Sequence, residues 1–293
     1  MKKRSGISIF LLFTVTGLIF STLYSCDTTH GKNLGLQLYS IRDSIGRDVP
    51  AAIAKVSKMG YKFVEPANYK NGKLYGMEPA AFKALLKKYN MTMLSSHTSH
   101  DAPDSINYNA TMAWWDTCIA AHLAAGAKFI VQPSMDGSAY ASLAGLKKYC
   151  DYFNEVGAKC NEKGIRFGYH NHDKEFSTKL DGQTIYDFML ANTDPKKVMF
   201  EMDLYWVVEG GANPVDYFKK YPGRFELWHI KDKEEVGASG KMDFPAIWAA
   251  AAQSGMKYGV VEVERYNYDE YTSCQKSIDF LNAADYVVMP KNK

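Results

Sequence analysis

The sequence has few cysteines and no motif built from them. Its 293 residues include five cysteines, and no two of them have the Cys-x-x-Cys spacing of a zinc or redox site. Four of them lie beyond residue 100, and four cysteines allow three disulfide pairings. Three of those four fall in segments with a helical pattern, namely Cys118, Cys150 and Cys160. We therefore expect buried free thiols rather than a disulfide framework.

The chain also lacks a surplus of charge. Lys and Arg number 35 against 32 Asp and Glu, and without the three basic residues Lys2, Lys3 and Arg4 the balance is 32 against 32. Nucleic-acid binding depends on a basic surface, since contacts with the phosphate backbone supply most of the affinity. We therefore expect no nucleic-acid partner. The sequence likewise has neither a Gly-rich phosphate-binding loop nor a Pro/Gly/Ser-rich linker between domains.

The N-terminus resembles a bacterial lipoprotein signal. The uncharged apolar run Ile7 to Phe20 follows the basic residues and leads to Leu23-Tyr24-Ser25-Cys26. Such a sequence predicts a signal peptide over residues 1–25, lipidation of Cys26 and a short tether over 26–33, although Tyr24 replaces the usual small residue. The alternative is an uncleaved membrane anchor. Either reading predicts an extracytoplasmic protein, in the periplasm or at the cell surface, that contacts a membrane only through its anchor.

Beyond the N-terminus, eight strand-like runs alternate with helical patterns at intervals of roughly 30 residues. The runs begin near Leu34, Tyr61, Met91, Lys128, Arg166, Val198, Phe225 and Tyr258. Helical patterns cover Val49 to Met59, Pro79 to Tyr89 and Tyr140 to Lys163, and Gly60 and Gly164 stand where helices should end. This order predicts the α/β class, with a single (β/α)8 TIM barrel over residues 34–288.

Polar pairs close the last four strands, with two residues of each pair held two positions apart. The pairs are His170 and His172, Glu201 and Asp203, His229 and Lys231, and Glu262 and Glu264. Residues i and i+2 of a strand point to one face, and the C-terminal ends of barrel strands meet at one mouth. The sequence therefore predicts a divalent metal site at this mouth.

Asp203, His229 and Glu262 are the predicted metal ligands of the sixth, seventh and eighth strands. Their carboxylate and imidazole groups suit Mn²⁺, Co²⁺, Zn²⁺ or Mg²⁺. On the fifth strand we favour His170 as the fourth ligand and His172 as a base or sugar contact. The opposite assignment remains open, as does a site in which carboxylates satisfy both histidines without a metal.

Other polar residues of the mouth have two interpretations each. Glu65 suits proton transfer or hydroxyl binding, or a salt bridge with a lysine, and His97 suits substrate contact. Lys231 either stabilises an oxyanion or pairs with Glu262 or Glu264. Gln37 and Tyr39 share a face of the first strand and are candidate substrate-binding residues. Trp206 is a further candidate, for stacking on a sugar ring or for the core.

Six segments resemble the sugar phosphate isomerase/epimerase family, the xylose isomerase-like TIM barrel group that includes inosose dehydratases and 3-keto-glycoside lyases. They are GLQLYSIRD (35–43), GYKFVEPA (60–67), YHNHDKEF (169–176), MDLYWVVEGG (202–211), HIKD (229–232) and VEVE (261–264). The resemblance covers about Leu34 to Tyr286 and implies a divalent metal on Asp203, His229, Glu262 and a fifth-strand residue. Epimerases and keto-hexose isomerases of the family usually have Glu where this chain has His170, and two metal-bound glutamates move the proton in them. Glu264 or Glu65 would then replace the missing proton-transfer carboxylate.

The resemblance implies an isomerase, epimerase or lyase that abstracts a proton next to a carbonyl through an enediolate. A non-phosphorylated keto-sugar is the expected substrate, with β-elimination from a 3-keto-glycoside, supplied by a partner oxidoreductase, as the favoured version. AP endonucleases share the fold but need a basic DNA surface. The rival function is a non-catalytic sugar-binding lipoprotein. The oligomeric state stays open.

Overall fold

The computed structural model describes residues 31–290. The predicted signal peptide, the lipidation site Cys26 and most of the predicted tether lie outside the described residues. Within them, no helix has both the length and the apolar character needed to cross a membrane.

Eight parallel strands form the central sheet, as the sequence predicts. We number them β1 (Leu34–Gln37), β2 (Phe63–Glu65), β3 (Thr92–Met93), β4 (Phe129–Gln132), β5 (Arg166–His170), β6 (Val198–Asp203), β7 (Leu227–Ile230) and β8 (Tyr258–Val261). Their order across the sheet is β3-β2-β1-β8-β7-β6-β5-β4. Two short hairpins, Tyr69–Lys70 with Lys73–Leu74 and Lys179–Leu180 with Gln183–Thr184, stand apart from it.

The third strand is shorter than the Met91–His97 run suggests, yet this segment joins the two ends of the sheet. His97 forms a parallel bridge with Val131. The amide of Thr98 donates to the carbonyl of Val131, and the amide of Val131 donates to the carbonyl of Ser96. These bonds connect the β3 segment to β4. The (β/α)8 barrel is thereby closed, and the side chain of His97 is brought to the mouth.

Helices surround the strands. They are α1 (Arg42–Arg47), α2 (Val49–Met59), α3 (Pro79–Lys88), α4 (Tyr108–Ala125), α5 (Gly137–Ala141), α6 (Leu143–Glu162), α7 (Lys174–Ser177), α8 (Ile185–Asn192), α9 (Leu204–Glu209), α10 (Pro214–Lys220), α11 (Phe244–Ala249), α12 (Ala251–Ser254) and α13 (Glu270–Ala283). The predicted helix over 140–163 is two helices, because Ser142 has an extended backbone and its hydroxyl accepts from the amide of Gly145 as the N-cap of α6.

Glycine ends α2 and the turn after α6, as predicted. Gly60 has φ of 102° and Gly164 has φ of 77°, a left-handed conformation that costs glycine little. The core lies between the strands and the helix layer and contains the four cysteines Cys118, Cys150, Cys160 and Cys274, all buried and free. The expectation of free thiols is thus confirmed for the described residues.

Candidate metal centre and substrate cavity

Strand register brings the predicted metal ligands to one level of the barrel. Asp203, the last residue of β6, pairs with His229 in β7. Ile230 of β7 pairs with Val261 of β8, so Glu262 follows directly at the end of its strand. All three side chains are buried. Because the strands are parallel, their carboxyl ends lie at the same edge, as the predicted site requires.

The ligand atoms of Asp203, His229 and Glu262 lie within 4.8 Å of one another. Nδ1 of His229 is 3.4 Å from Oε2 of Glu262 and 4.0 Å from Oδ2 of Asp203. His170 joins them, with Nε2 4.0 Å from the same Asp203 oxygen. The structure therefore brings together the four side chains that the sequence nominates. We refer to them as the outer group.

Two atoms of the outer group suit a cation. Oδ2 of Asp203 and Nδ1 of His229 are buried and have no hydrogen-bond partner. A buried polar atom left without a partner is costly, and a divalent ion would satisfy both at once. Two carboxylates and two imidazoles form a donor set that transition metals favour. The residues present therefore fit a divalent metal.

A second set of polar side chains lies beside the outer group, and we call it the inner group. It consists of Glu65, His97 and Glu201. Nε2 of His97 is 2.8 Å from Oε2 of Glu201 and 3.2 Å from Oε1 of Glu65. Glu65 also accepts from Nε2 of His229 at 2.7 Å and from the side-chain amide of Gln37 at 2.8 Å. Glu65 and Glu201 are fully buried.

Burial and neighbouring charges shift the pKa values of the carboxylates in opposite directions. Burial alone would raise the pKa of Glu65, but the charge of His97 and the contact with His229 lower it to about 2. Burial together with the charge of Glu65 raises the pKa of Glu201 to about 6. Burial raises the pKa of Asp203 to about 7, against the opposing charge of Lys231. Glu201 and Asp203 are therefore the two of these carboxylates that a bound cation would help to keep ionised.

The two histidines of the fifth strand have different surroundings. His170 is buried, and its Nδ1 lies 3.3 Å from Oε2 of Glu201. His172 lies beyond the end of β5, lines the cavity and has its ring centroid 5.9 Å from that of Trp206. Its backbone amide donates to Oε2 of Glu175 at 2.9 Å. Burial lowers the pKa of both histidines, and that of His170 falls well below the ordinary value.

Lys231 forms salt bridges on two sides. Its Nζ lies 2.9 Å from Oε2 of Glu262 and 2.7 Å from Oε2 of Glu264. Burial acts to lower the pKa of Lys231, but Glu262, Asp203 and Glu264 raise it above the ordinary value. Lys231 is therefore a fixed cation beside the outer group, in the pairing that the sequence offers as one of its two interpretations.

A cavity of about 510 Å³ opens over these side chains. It is lined by Tyr39, Ala67, Tyr69, His97, Thr98, Ser99, Pro133, Ser134, His170, His172, Glu262 and Glu264. The hydroxyls of Thr98, Ser99 and Ser134 carry no assignment from the sequence. The sequence feature that could have identified them is their position directly after the third and fourth strands, where the mouth of a barrel forms.

The candidate substrate residues occupy different places around this cavity. Tyr39 and His97 line it, whereas Gln37 is fully buried behind Glu65. Tyr39 does not share a strand face with Gln37, because β1 ends at Gln37 and the chain turns into a 3-10 helix over Leu38–Ile41. Trp206 is half-buried beside the mouth, with Nζ of Lys231 5.1 Å from its ring centroid.

Comparison with known proteins places this architecture among sugar-modifying enzymes. The family described as xylose isomerase-like TIM barrel matches residues 53–284. A sugar phosphate isomerase/epimerase from Parabacteroides distasonis has a similar structure, with a TM-score of 0.81 and 33% identity over 88% of this chain and 100% of that one. The IolI protein, solved with a bound zinc atom, shares the fold at 15% identity and a TM-score of 0.66, over 87% and 98% of the two chains.

Curated relatives match over a shorter stretch. An inosose dehydratase from Clostridium beijerinckii is 28% identical over 100 residues, and the match spans 34% of this chain and 33% of that protein. A second, from Bacillus anthracis, is 31% identical over 91 residues, which are 31% and 30% of the two chains. The match thus spans about a third of each curated relative.

Proposed function

The chain belongs to the xylose isomerase-like TIM barrel family, and on that premise we propose that it is a divalent-metal-dependent enzyme that removes a proton next to a sugar carbonyl. The observation that carries the proposal is the convergence of Asp203, His229 and Glu262 below a cavity, with two buried ligand atoms that lack a hydrogen-bond partner. A binding module would not need three such ligands at one depth.

Asp203, His229, Glu262 and His170 would hold the metal. When bound, the ion would polarise the substrate carbonyl and stabilise the negative charge that develops during proton removal. His170 suits a ligand because its ring is buried between Glu201 and Asp203. The cation of Lys231 lies beside the outer group and would add to the stabilisation of an oxyanion.

His172 is the proposed base. It lines the cavity, so its ring reaches the space that a substrate would occupy. The low pKa that burial gives it favours the neutral imidazole, the form that accepts a proton. Glu175 positions the segment that carries it: one oxygen accepts from the backbone amide of His172, and the other accepts from Tyr140 at 2.6 Å and Tyr169 at 2.5 Å.

The favoured reaction is β-elimination from a non-phosphorylated 3-keto-glycoside. His172 would take the proton from C2, the electrons of the C2–H bond would form a C1–C2 double bond, and the C1–oxygen bond would break. The departing aglycone oxygen would receive a proton, for which the protonated His172 is a source. The sequence lacks a phosphate-binding loop, which supports a non-phosphorylated substrate. Two relatives carry the name dehydratase, which supports elimination as the reaction.

The same first step leads to two other outcomes. Return of the proton to C2 from the opposite face gives an epimer, and its delivery to the neighbouring carbon gives an isomer. We propose further that the enzyme works outside the cytoplasm, anchored through Cys26, on a ketone supplied by a sugar oxidoreductase. The support for this placement is the lipoprotein-like N-terminus.

The test is to incubate the protein with 3-keto-glucosides and simple ketoses in D₂O, with added Mn²⁺ or Co²⁺. Metal-dependent aglycone release supports elimination, and deuterium uptake without release supports epimerisation or isomerisation. Absence of exchange with every sugar, whether or not metal is present, would overturn the proposed function. Metal-free protein that still binds sugar would support the rival, a sugar-binding lipoprotein.

A further inference from the structure

The outer and inner groups differ in the spacing of their polar atoms. In the outer group, Nδ1 of His229 lies 3.4 Å from Glu262 and 4.0 Å from Asp203. In the inner group, the contacts of His97 with Glu65 and Glu201 and of His229 with Glu65 are 2.7 to 3.2 Å. Oε2 of Glu201 lies slightly farther, 3.3 Å, from Nδ1 of His170 and from Nε2 of His229. His229 belongs to the outer group, but it also contacts Glu65 of the inner group through its other ring nitrogen.

These distances distinguish atoms spaced as metal ligands from atoms spaced as hydrogen-bond partners. Ligands about 2.1 Å from a common ion in tetrahedral geometry lie roughly 3.4 Å apart. The outer spacing is close to this value, and it leaves room for an ion. The inner spacing is that of direct hydrogen bonds, with little room between the atoms. His97, His170, Glu201 and His229 also offer atoms within 4.8 Å of one another, and Oε2 of Glu65, Oε1 of Glu201 and Nδ1 of His170 are buried without a hydrogen-bond partner. The short contacts of His97 with both carboxylates nevertheless favour a hydrogen-bonded network over a second ion, and the number of zinc ions bound tests this choice.

Each histidine of the outer group presents one nitrogen to each group. His229 directs Nδ1 to Asp203 and Glu262, while its Nε2 is 2.7 Å from Oε1 of Glu65. His170 has Nε2 4.0 Å from Asp203 and Nδ1 3.3 Å from Oε2 of Glu201, a contact without hydrogen-bond geometry in this structure. A metal-bound histidine commonly donates its other ring N–H to a carboxylate, which fixes the tautomer and the ring orientation.

We propose that Glu65 and Glu201, held together by His97, are positioning residues that make His229 bind the metal through Nδ1 and His170 through Nε2. The inference rests on the proposed function. It moves Glu65 from proton transfer, one of its roles in the sequence analysis, to the support of a ligand. Burial agrees with this role, since neither Glu65 nor Glu201 is exposed or lines the cavity, and a group that reacts with substrate must reach it.

His97 and Gln37 complete the support. Nε2 of His97 bridges the two carboxylates, 2.8 Å from Glu201 and 3.2 Å from Glu65, so it places a single donor between two acceptors. The side-chain amide of Gln37 donates to the same oxygen of Glu65 that faces His229. Glu65 is thus fixed from three sides, and its orientation is set before any metal binds.

The direct test is ¹⁵N NMR of the zinc-loaded protein labelled in its histidine rings, with signals assigned from single-histidine variants. We expect the Nδ1 signal of His229 and the Nε2 signal of His170 to shift on zinc binding, while the other nitrogen of each ring keeps its proton. Zinc bound through Nε2 of His229 would overturn the inference. So would a stoichiometry of two zinc ions per chain, because the inner group would then be a metal site.

Zinc affinity gives a second test, by competition titration of Glu65→Gln and Glu201→Gln. Each variant should bind zinc about 10- to 100-fold more weakly than the wild type. The matched control is Glu226→Gln, which removes a carboxylate paired with Arg166 and Lys257 at the start of the seventh-strand segment. Its zinc affinity should not change. Wild-type affinity in both test variants would overturn the inference.

The wild-type measurement keeps the inference testable even if a variant fails to fold, because the ring nitrogens are observed without mutation. The same measurement distinguishes failure of the proposed function from failure of this inference alone. A wild-type chain that binds no Zn²⁺, Mn²⁺ or Co²⁺ would overturn the proposed function and this inference with it. A chain that binds one zinc ion through the wrong ring nitrogen would overturn this inference alone.

Discussion

Asn171 and Asp203 exchange two hydrogen bonds at the end of the fifth and sixth strands. The amide of Asp203 donates to Oδ1 of Asn171 at 3.1 Å, and Nδ2 of Asn171 donates to the carbonyl of Asp203 at 3.2 Å. Backbone pairing between these strands ends where Glu201 meets His170. The Asn171 side chain therefore extends the pairing and fixes the backbone that carries a proposed metal ligand.

Replacement of Asn171 by Ala should destabilise the protein and weaken metal binding. The backbone amide of Asp203 would lose its buried partner, at a cost of about 1–3 kcal/mol in the free energy of unfolding. Urea denaturation and zinc titration provide the measurements. Asn161→Ala is the control, because the Asn161 amide donates to the carbonyl of Lys196 at the surface. Equal losses in the two variants would contradict a special role for Asn171.

Variants of the two fifth-strand histidines should separate metal binding from proton transfer. His170→Asn should weaken zinc binding at least tenfold, because a ligand is lost. His172→Asn should keep zinc affinity within about threefold but slow deuterium exchange into a keto-sugar by about 10²–10⁴-fold. His100→Asn is the control and should change neither quantity, because the His100 ring packs on Trp114, with 4.7 Å between the ring centroids, and does not line the cavity. The reverse pattern would assign His172 as the ligand and His170 as the base.

Local patterns in the sequence predict the strands and the outer group, because both depend on residues that are close together in the sequence. Alternation along a strand sets the face of Asp203, and the barrel rule sets which end of the strand is functional. The sequence also places Glu65, His97 and Glu201 at strand ends, but it does not predict that these three side chains contact one another. Glu65, His97 and Glu201 come from the second, third and sixth strands, and barrel closure and strand register alone bring them together.

The residue at which a strand ends could not be predicted from the local sequence pattern either. Tyr39 continues the alternating pattern of the first strand, yet the chain leaves the sheet after Gln37, whose side chain accepts from the amide of Tyr39 as an N-cap. A capping hydrogen bond of this kind competes with strand pairing. The lipoprotein signal stays a prediction, since residues 1–25 and Cys26 lie outside the described part of the chain.

Gly35→Ala should destabilise the barrel. A Cβ on Gly35 would lie 2.1 to 2.9 Å from atoms of the Phe63 ring, its register partner on β2. The ring would have to move within a packed core, at a cost of about 1–3 kcal/mol. Gly46→Ala is the matched control, because nothing lies within 4 Å of its Cβ. That helical position should be neutral or gain about 0.5–1 kcal/mol. Urea denaturation of both variants tests the difference.

His122 should make stability depend on pH between about 4 and 6.5. Burial lowers the pKa of His122 to about 4 in the folded state, whereas an unfolded histidine titrates near 6.5. Above pH 6.5 both states are neutral, and the contribution of the buried neutral ring is fully present. As the pH falls below 6.5, the unfolded state binds a proton that the folded state does not, so stability is lost, by up to about 3 kcal/mol at pH 4.

The measurement compares wild type with His122→Gln in urea at a series of pH values. Carboxylates titrate in both proteins, so their effect largely cancels in the difference between the two free energies of unfolding. The stability of the wild type relative to the variant should fall as the pH is lowered from 7 to 4. A difference that stays constant across this range would show that His122 does not carry the pH dependence.

Lys231→Met should change metal affinity and turnover in opposite directions. Lys231 pairs with Glu262 and Glu264, so its removal leaves the buried Glu262 without its cation and should destabilise the metal-free protein by about 3 kcal/mol. A divalent ion would then replace the missing positive charge. We expect zinc or manganese to bind several-fold more tightly than in the wild type, and to restore more stability in the variant.

Proton exchange should nevertheless become about 100-fold slower in Lys231→Met, because the loss of a fixed cation beside the reacting oxygen removes stabilisation from the transition state. Titration calorimetry and deuterium exchange measure the two effects separately. Lys241→Met is the control, since this exposed lysine pairs with Glu209 at 3.1 Å and should affect neither. Weaker metal binding in Lys231→Met would mean instead that Lys231 is needed to hold Glu262 in its ligating position.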